Sequence, residues 1–381
     1  MNSNSIREKV HNDAVKSIIT NNFNGIIIVA PRVGKTKIAL TAIAKAKSTI
    51  WITSPYSVIK NNWNIENKKW NINAKIHSIC HKSLHKLPKH LPLLIIDEIQ
   101  ELSLSQIQNI VAAKPQRILG LSGFLSSYTI LLLHNTLRLN IFFKYTINQA
   151  IHDKIISDFR ITILKVGLDS VNKNQLLFNN RVTEREKYNF YTKKYEEAKE
   201  NDDIYLKNFY SRKRKEFIYN NHSKSNLCKL LLETVLKNER VICFGSSVNK
   251  IEKFCAKTYH VENKKEDNLT KFINNEFNHL GVIQMVNMGV TIMNLKIALI
   301  GQVISSNETS IQRILRVCNL EENRTAHIII IVVKDTIDEE WCENSLIGIS
   351  QEQIERFNFT EKTACTTFIH NKVVCGRNDN V

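Results

Sequence analysis

Along the first 143 residues, short apolar runs alternate with amphipathic stretches. Four runs read as strands, Ile26–Val29, Ile50–Thr53, Leu93–Ile96 and Ile118–Leu121, and the stretches between them carry a helical period. Strand and helix in alternation imply a parallel sheet covered on both faces. The alternation starts again near Phe159, with strands expected at Ile161–Val166, Val241–Phe244, Val282–Met285, Ile297–Ile300 and Ile328–Val333. The pattern predicts an α/β protein with two parallel sheets in tandem.

With 381 residues the chain exceeds what one ordinary core holds, which agrees with two domains. It has 11 Gly and 5 Pro, too few for composition to mark a linker. The spacing of strands puts the boundary near Leu139–Asn148, giving domains at 1–145 and 146–345. Past Trp341 the pattern weakens, and 346–381 reads as a C-terminal appendage. Between Thr183 and Asn221 lies a stretch rich in Lys, Arg, Glu and aromatics, including Tyr188, Tyr191, Tyr195 and Tyr210 and the run Arg212, Lys213, Arg214, Lys215. It predicts a helical insertion standing off the second sheet. Its cations and rings are either a solvated face or a grip on nucleic acid.

Charge narrows the choice of partner. Lys and Arg number 53 against 36 Asp and Glu, a formal +17, which points to a polyanion, with nucleic acid the first candidate and DNA ahead of RNA. No apolar run reaches the length of a spanning helix and the start of the chain lacks signal-peptide form, so the expectation is a cytoplasmic protein with no membrane partner. Eight Cys without a Cys-x-x-Cys pair suit a reducing compartment, and no disulfide is expected. His77, Cys80, His81, His85 and His90 fall close together but lack a zinc-site spacing, and they read as a polar loop and helix leading to the Leu93–Ile96 strand.

The chemistry is carried by two strand ends. The first apolar run passes through Ala30-Pro31-Arg32-Val33 into Gly34-Lys35-Thr36 and then a helical stretch. Such a loop wraps backbone N–H groups round a β-phosphate, a Lys ammonium reaches the β/γ oxygens, and a Thr hydroxyl holds Mg²⁺. Gly34, Lys35 and Thr36 therefore predict ATP. The third run ends in Asp97-Glu98, where Asp97 would bind Mg²⁺ through its water shell and Glu98 would orient or deprotonate the attacking water.

Further signals fall in order: Ser54-Pro55 after the second strand, Leu121-Ser122-Gly123-Phe124 after the acidic pair, and Gln312-Arg313-Ile314-Leu315-Arg316 late in the chain. This order resembles the superfamily 2 helicases and translocases, especially phage-type and remodeller-like DEAD/H-box members, over roughly Ile6 to Trp341. Abundant Asn, Lys and Ile also hint at an AT-rich genome such as a phage's.

The resemblance implies two RecA-like domains sharing one ATP, and movement on nucleic acid driven by its hydrolysis. It implies that Ser122 and Gly123 couple nucleotide state to closure, and that Ser54, Pro55, Gly289 and Thr291 touch the nucleic-acid backbone. It further implies that Gln312 and Arg316 project toward the phosphates, with Arg316 as arginine finger beside Arg313. The family's second Arg is Asn319 here, and Arg32 stands where related loops commonly carry Gly. Arg7 and His11 lie where an adenine-reading Gln is expected. Two other readings remain: a nucleic-acid-binding module using ATP as a switch, and the motor of a restriction-type complex, with replication or recombination partners equally open.

Overall fold

A computed structural model of the chain describes residues 3–46, 49–55, 57–72, 74–259, 267–283, 295–302, 325–347, 349–359 and 369. The first sheet holds β1 (Gly25–Val29), β2 (Ile50–Ser54), β3 (Ile76–Cys80), β4 (Leu93–Asp97), β5 (Ile118–Ser122) and β6 (Ile141–Tyr145), in the order β3-β2-β4-β5-β1-β6. Every pairing in it is parallel. Helices α1 (Ser3–Thr20), α2 (Lys35–Ile43), α3 (Ser57–Lys69), α4 (Leu104–Ala113) and α5 (Ser127–Leu137) accompany it.

Burial on both faces explains the continuous apolar runs. Alternate residues of one strand point to opposite sides, so Ile27 and Val29 of β1 join one core with Leu93 and Ile95 of β4. Ile26 and Ile28 join the other with Leu94 and Ile96. The expected strands are present with ends one residue or so longer. Two strands were not foreseen. β3 takes the place of a loop across His77 and Cys80, and β6 closes the other edge.

After β6 the chain passes through α6 (Ile147–His152) into β7 (Phe159–Val166), which belongs to the second sheet. A short antiparallel hairpin, β8 (Gln175–Leu177) and β9 (Asn180–Val182), precedes helices α7 (Glu184–Glu200), α8 (Ile204–Tyr219) and α9 (His222–Glu233). The rest of the second sheet comes from β10 (Val241–Gly245), β11 (Thr258–Tyr259), β12 (His279–Ile283), β13 (Ile297–Ile300), β14 (Ala326–Val333) and β15 (Ile354–Phe359). Between them lie α10 (Val248–Ile251), α11 (Asn268–Ile273) and α12 (Ile337–Ser345). The order is β11-β12-β10-β13-β14-β7-β15, again with parallel pairings.

Two expectations need correction. The strand placed at Val282–Met285 begins earlier, at His279, and Gly281 inside it lets Ile251 of α10 pack against the backbone. The chain past residue 345 is not wholly an appendage, because Ile354–Phe359 pairs with β7 as an edge strand. Among the described residues no helix is long and apolar enough to cross a membrane.

The insertion is an antiparallel helical arm made of α7 and α8. Thr183 and Glu186 cap α7 reciprocally: the Thr183 hydroxyl accepts from the Glu186 N–H at 3.1 Å, and the Glu186 carboxylate accepts from the Thr183 N–H at 2.8 Å. At its base Tyr188, Phe217, Ile218 and Tyr219 pack with Leu168 and Val333. Buried Glu184 accepts from the N–H groups of Asp169 and His222 and from the Ser223 hydroxyl, fastening the arm to the start of α9. Polar groups buried in this way are tolerated because they are bonded.

Candidate nucleotide site at the carboxyl edge of the first sheet

The loop after β1 is shaped by backbone conformations that few residues adopt. Gly34 lies at φ 114° and Arg32 at φ 66°. A side chain at Gly34 would be strained, and its Cβ would stand 2.9 Å from His11 Nε2. Arg32 takes the left-handed conformation without that freedom, at a cost of about 1–2 kcal/mol. His11, on α1, donates from Nε2 to the Val33 carbonyl at 2.6 Å, so α1 braces the outside of the loop. Burial holds the His11 pKa below its usual value, with the cations Lys37 and Arg7 adding to the effect. Arg7 donates to the Ile155 carbonyl at 3.1 Å, tying α1 to the segment that leads into the second sheet. The residues aligned with a base-reading motif thus hold backbone in place.

Lys35 and Thr36 open α2, where backbone N–H groups have no acceptor within their own helix. Lys35 Nζ lies 3.0 Å from Glu98 Oε1, with both side chains partly accessible. Glu98 takes φ 50° directly after β4, which turns its carboxylate toward the loop. Its second oxygen accepts from Gln100 Nε2 at 2.7 Å, and the Ser122 hydroxyl donates to Gln100 Oε1 at 2.6 Å. The chain Lys35–Glu98–Gln100–Ser122 joins the ends of β1, β4 and β5, which lie side by side in the sheet. Gly123 completes the contact: a Cβ there would meet Pro31 at 3.2 Å and Lys35 Nζ at 3.4 Å, so the loop after β5 lies directly on the loop after β1.

Asp97 is buried, and Trp63 Nε1 donates to its Oδ2 at 3.0 Å. Burial pushes the Asp97 pKa up to about 6, and the neighbouring Glu98 charge adds to this while Lys35 opposes it. His81 follows β3 and is buried as well, with its ring near the backbone of Asp97 and Thr53 but without a well-formed hydrogen bond. Burial pulls its pKa down to about 4, so the ring is neutral. His77 stacks on Trp51 with ring centroids 4.9 Å apart. His85 and His90 are exposed, and among the described residues no group of three ligand-type side chains converges.

Other expected residues lie apart from this network. Ser54 is fully buried at the end of β2 with its hydroxyl unpartnered, so any contact made there falls to the loop backbone and to half-exposed Pro55. Gly289, Thr291, Gln312, Arg313, Arg316 and Asn319 lie outside the described residues. On the arm, the four-cation run splits. The Arg214 guanidinium sits over the Tyr195 ring at 4.7 Å and bonds Tyr188 Oη at 3.4 Å, facing α7. Lys213 pairs with Glu216 at 3.6 Å, whereas Arg212 and Lys215 are exposed. The four cations of the run therefore face different sides, since a helix turns successive residues away from one another.

Sequence assigns no role to Gln100 or Trp63, reads His81 as part of a polar loop and helix, and places His11 at a base-reading position rather than as a brace for the loop. Gln100 alone carried a signal, two residues beyond Glu98 on the same strand exit.

Neither a protein-family model nor a curated protein sequence matches the chain. Solved structures do resemble it. The ATP-dependent Type ISP restriction-modification enzyme LlaBIII bound to DNA aligns at TM-score 0.59 and 11% identity, covering 95% of this chain and 32% of that one. Dbp5 from S. cerevisiae bound to RNA and ADP BeF3 aligns at TM-score 0.56 and 9% identity, covering 95% and 92%. At these identities the likeness shows the fold alone, two parallel α/β sheets in tandem. Within that fold, the network joining Lys35 to Ser122 occupies the carboxyl ends of neighbouring parallel strands, where open α/β sheets bind ligands.

Proposed function

We propose that the chain is an ATP-dependent nucleic-acid helicase or translocase. The observation that carries this reading is the contact of Lys35 with Glu98 at 3.0 Å, at the mouth of a glycine-containing loop and beside buried Asp97. The donor set suits a nucleoside triphosphate with Mg²⁺: free helix N–H groups, an ammonium, a hydroxyl and a carboxylate close together. Bound Mg²⁺ would neutralise charge on the phosphates. Gly34, Lys35 and Thr36 would hold the phosphates, Thr36 and Asp97 would hold the metal, and Glu98 would orient or deprotonate the attacking water.

Lys35 in this arrangement exchanges Glu98 for phosphate oxygens, which releases the Glu98 carboxylate for the water. Gln100 and Ser122 carry the change to the loop after β5. With residues 1–145 as the first domain and 146–345 as the second, Arg316 reaches the phosphates from the second domain, supported by Gln312 and Arg313. Nucleic acid would pass Ser54, Pro55, Gly289 and Thr291, with the arm adding cations.

Multiple-turnover ATP hydrolysis, measured with single-stranded DNA, duplex DNA and RNA, tests the proposal. Arg316→Ala is expected to lower turnover by about 10³–10⁵ with little effect on ATP binding. Normal turnover in Arg316→Ala with loss in Arg313→Ala would move the finger to the neighbour. The alignment with a restriction-modification enzyme favours a second reading, a motor within a larger complex, and copurification of a nuclease partner would support it.

A further inference from the structure

The arm presents accessible rings, of which Phe209 meets Tyr210 edge-on at 5.1 Å and has Lys213 Nζ 5.6 Å from its centroid. Tyr205 is 79% exposed and Phe209 42%, although the arm buries Tyr188 and Phe217 at its base. Tyr205, Phe209 and Arg212 follow one another at intervals of four and three, so they form one stripe along α8, with exposed Lys215 on its flank. Helix α8 carries five cations, Lys207, Arg212, Lys213, Arg214 and Lys215, against the single anion Glu216. Glu216 is itself paired with Lys213.

We propose that this stripe is a stacking platform for an unpaired nucleic-acid strand. The inference rests on the nucleic-acid reading above and names the form of the strand. Exposed rings in line with cations match an unpaired strand, which offers base faces to the rings and phosphates to the cations. A duplex offers its phosphates alone, because its base faces are stacked on one another. Spacing points the same way. Rings four residues apart on a helix are separated by about 6 Å along its axis, wider than the roughly 3.4 Å base spacing of a duplex strand. An unpaired strand can stretch to that interval. Arg214 faces α7 and Lys213 pairs with exposed Glu216 beside Phe209, so Arg212 and Lys215, the latter 5.6 Å from the Tyr219 ring centroid, are the most exposed cations to meet phosphate.

The test is fluorescence anisotropy of the full chain with labelled oligo-dT, oligo-U and a hairpin duplex at several salt concentrations. Two variants are compared with wild type, Tyr205→Ala/Phe209→Ala and Arg212→Gln/Lys215→Gln. All four positions are accessible, and an unchanged thermal midpoint verifies the fold. The ring variant is expected to weaken unpaired-strand binding by about five- to hundred-fold per ring, with the salt slope kept and duplex binding little altered. The charge variant is expected to flatten the salt slope on the unpaired strand by up to about 1.4. Equal losses on oligo-dT and oligo-U support recognition of bases and phosphates without the sugar.

Wild-type affinity of the ring variant for both oligonucleotides would overturn the inference. So would self-association of wild type that the ring variant abolishes while strand affinity stays the same, since the stripe would then be a protein interface. Binding of duplex alone would overturn the inference and leave the nucleic-acid reading standing. Binding of no nucleic acid at all, with or without ATP, would remove both.

Discussion

Two Lys–carboxylate pairs in this molecule have the same chemistry and opposite settings. Lys35 and Glu98 meet at 3.0 Å with side chains 13% and 19% exposed, at the end of the first sheet. Lys224 and Asp338 meet at 2.6 Å with side chains 3% and 0% exposed, between α9 and α12 beside the second sheet. The Asp338 oxygen also accepts from the Val333 N–H, which locks the pair to the end of β14. A pair at an open strand end can trade partners with a ligand. A pair sealed in the interior cannot, and its partners are fixed by the fold. Burial, more than the identity of the two residues, separates a site from a staple.

Breaking each pair should therefore be read in different measurements. Lys35→Ala is expected to lower ATP turnover by about 10²–10³ or more, because it removes a charge aimed at the reacting phosphates. Its thermal midpoint should stay near that of wild type, since a partly exposed pair contributes about 0–1 kcal/mol. Lys224→Met should do the reverse, costing about 3–5 kcal/mol of stability in denaturant titration because Asp338 is left charged and uncompensated. If Lys224→Met matches wild type in stability while Lys35→Ala unfolds, the comparison is inverted.

Asp97 sharpens the contrast. Its folded pKa is raised to about 6 from an ordinary value of 3.8, so its contribution to stability is fully present below about 4 and is lost as pH rises through 6. At pH 7.5 the folded protein holds a carboxylate that burial disfavours. Asp97→Asn is expected to raise stability at pH 7.5 by on the order of 1–3 kcal/mol and to change it little at pH 4.5, while abolishing metal-dependent nucleotide binding at both. Thermal unfolding at the two pH values checks the sign. His81 acts oppositely: its folded pKa is lowered to about 4, so its share of stability is present above 6.5 and lost as pH falls toward 4. It is common to wild type and variant, so it cancels in the comparison.

The smallest expected effect belongs to Arg32. Replacing it by Gly removes a left-handed strain of about 1–2 kcal/mol, partly offset by the greater freedom Gly brings to the unfolded chain. Arg32→Gly should leave stability within about 1 kcal/mol of wild type and keep nucleotide affinity. A large loss of affinity would mean that the Arg32 side chain itself meets the ligand.

The central strands were legible because both faces are buried, which makes each a contiguous apolar run. The edge strands were not. β3 reads Ile76-His77-Ser78-Ile79-Cys80 and is half-buried throughout, and β15 alternates Ile354, Arg356 and Asn358 with other residues. Half-covered strands keep polar residues, so they resemble loops in sequence. The site divided similarly. Gly34, Lys35, Thr36, Asp97 and Glu98 are visible because each group of proposed ligand-binding residues is contiguous. The bonds from Trp63 to Asp97 and from Gln100 to Ser122 link residues 34 and 22 positions apart, and only the order of strands brings them together. The direction in which Lys213 and Arg214 point likewise depended on how α8 packs against α7.

Glu98 is where the network joining three strand ends becomes a claim about catalysis, so its replacement is the most direct measurement. ATP binding and turnover should be compared for wild type and Glu98→Gln, each with and without nucleic acid. The account predicts turnover in wild type that nucleic acid accelerates, and in Glu98→Gln retained ATP binding with turnover reduced by at least about 10²-fold. Equal turnover in the two proteins, in correctly folded preparations, would contradict it.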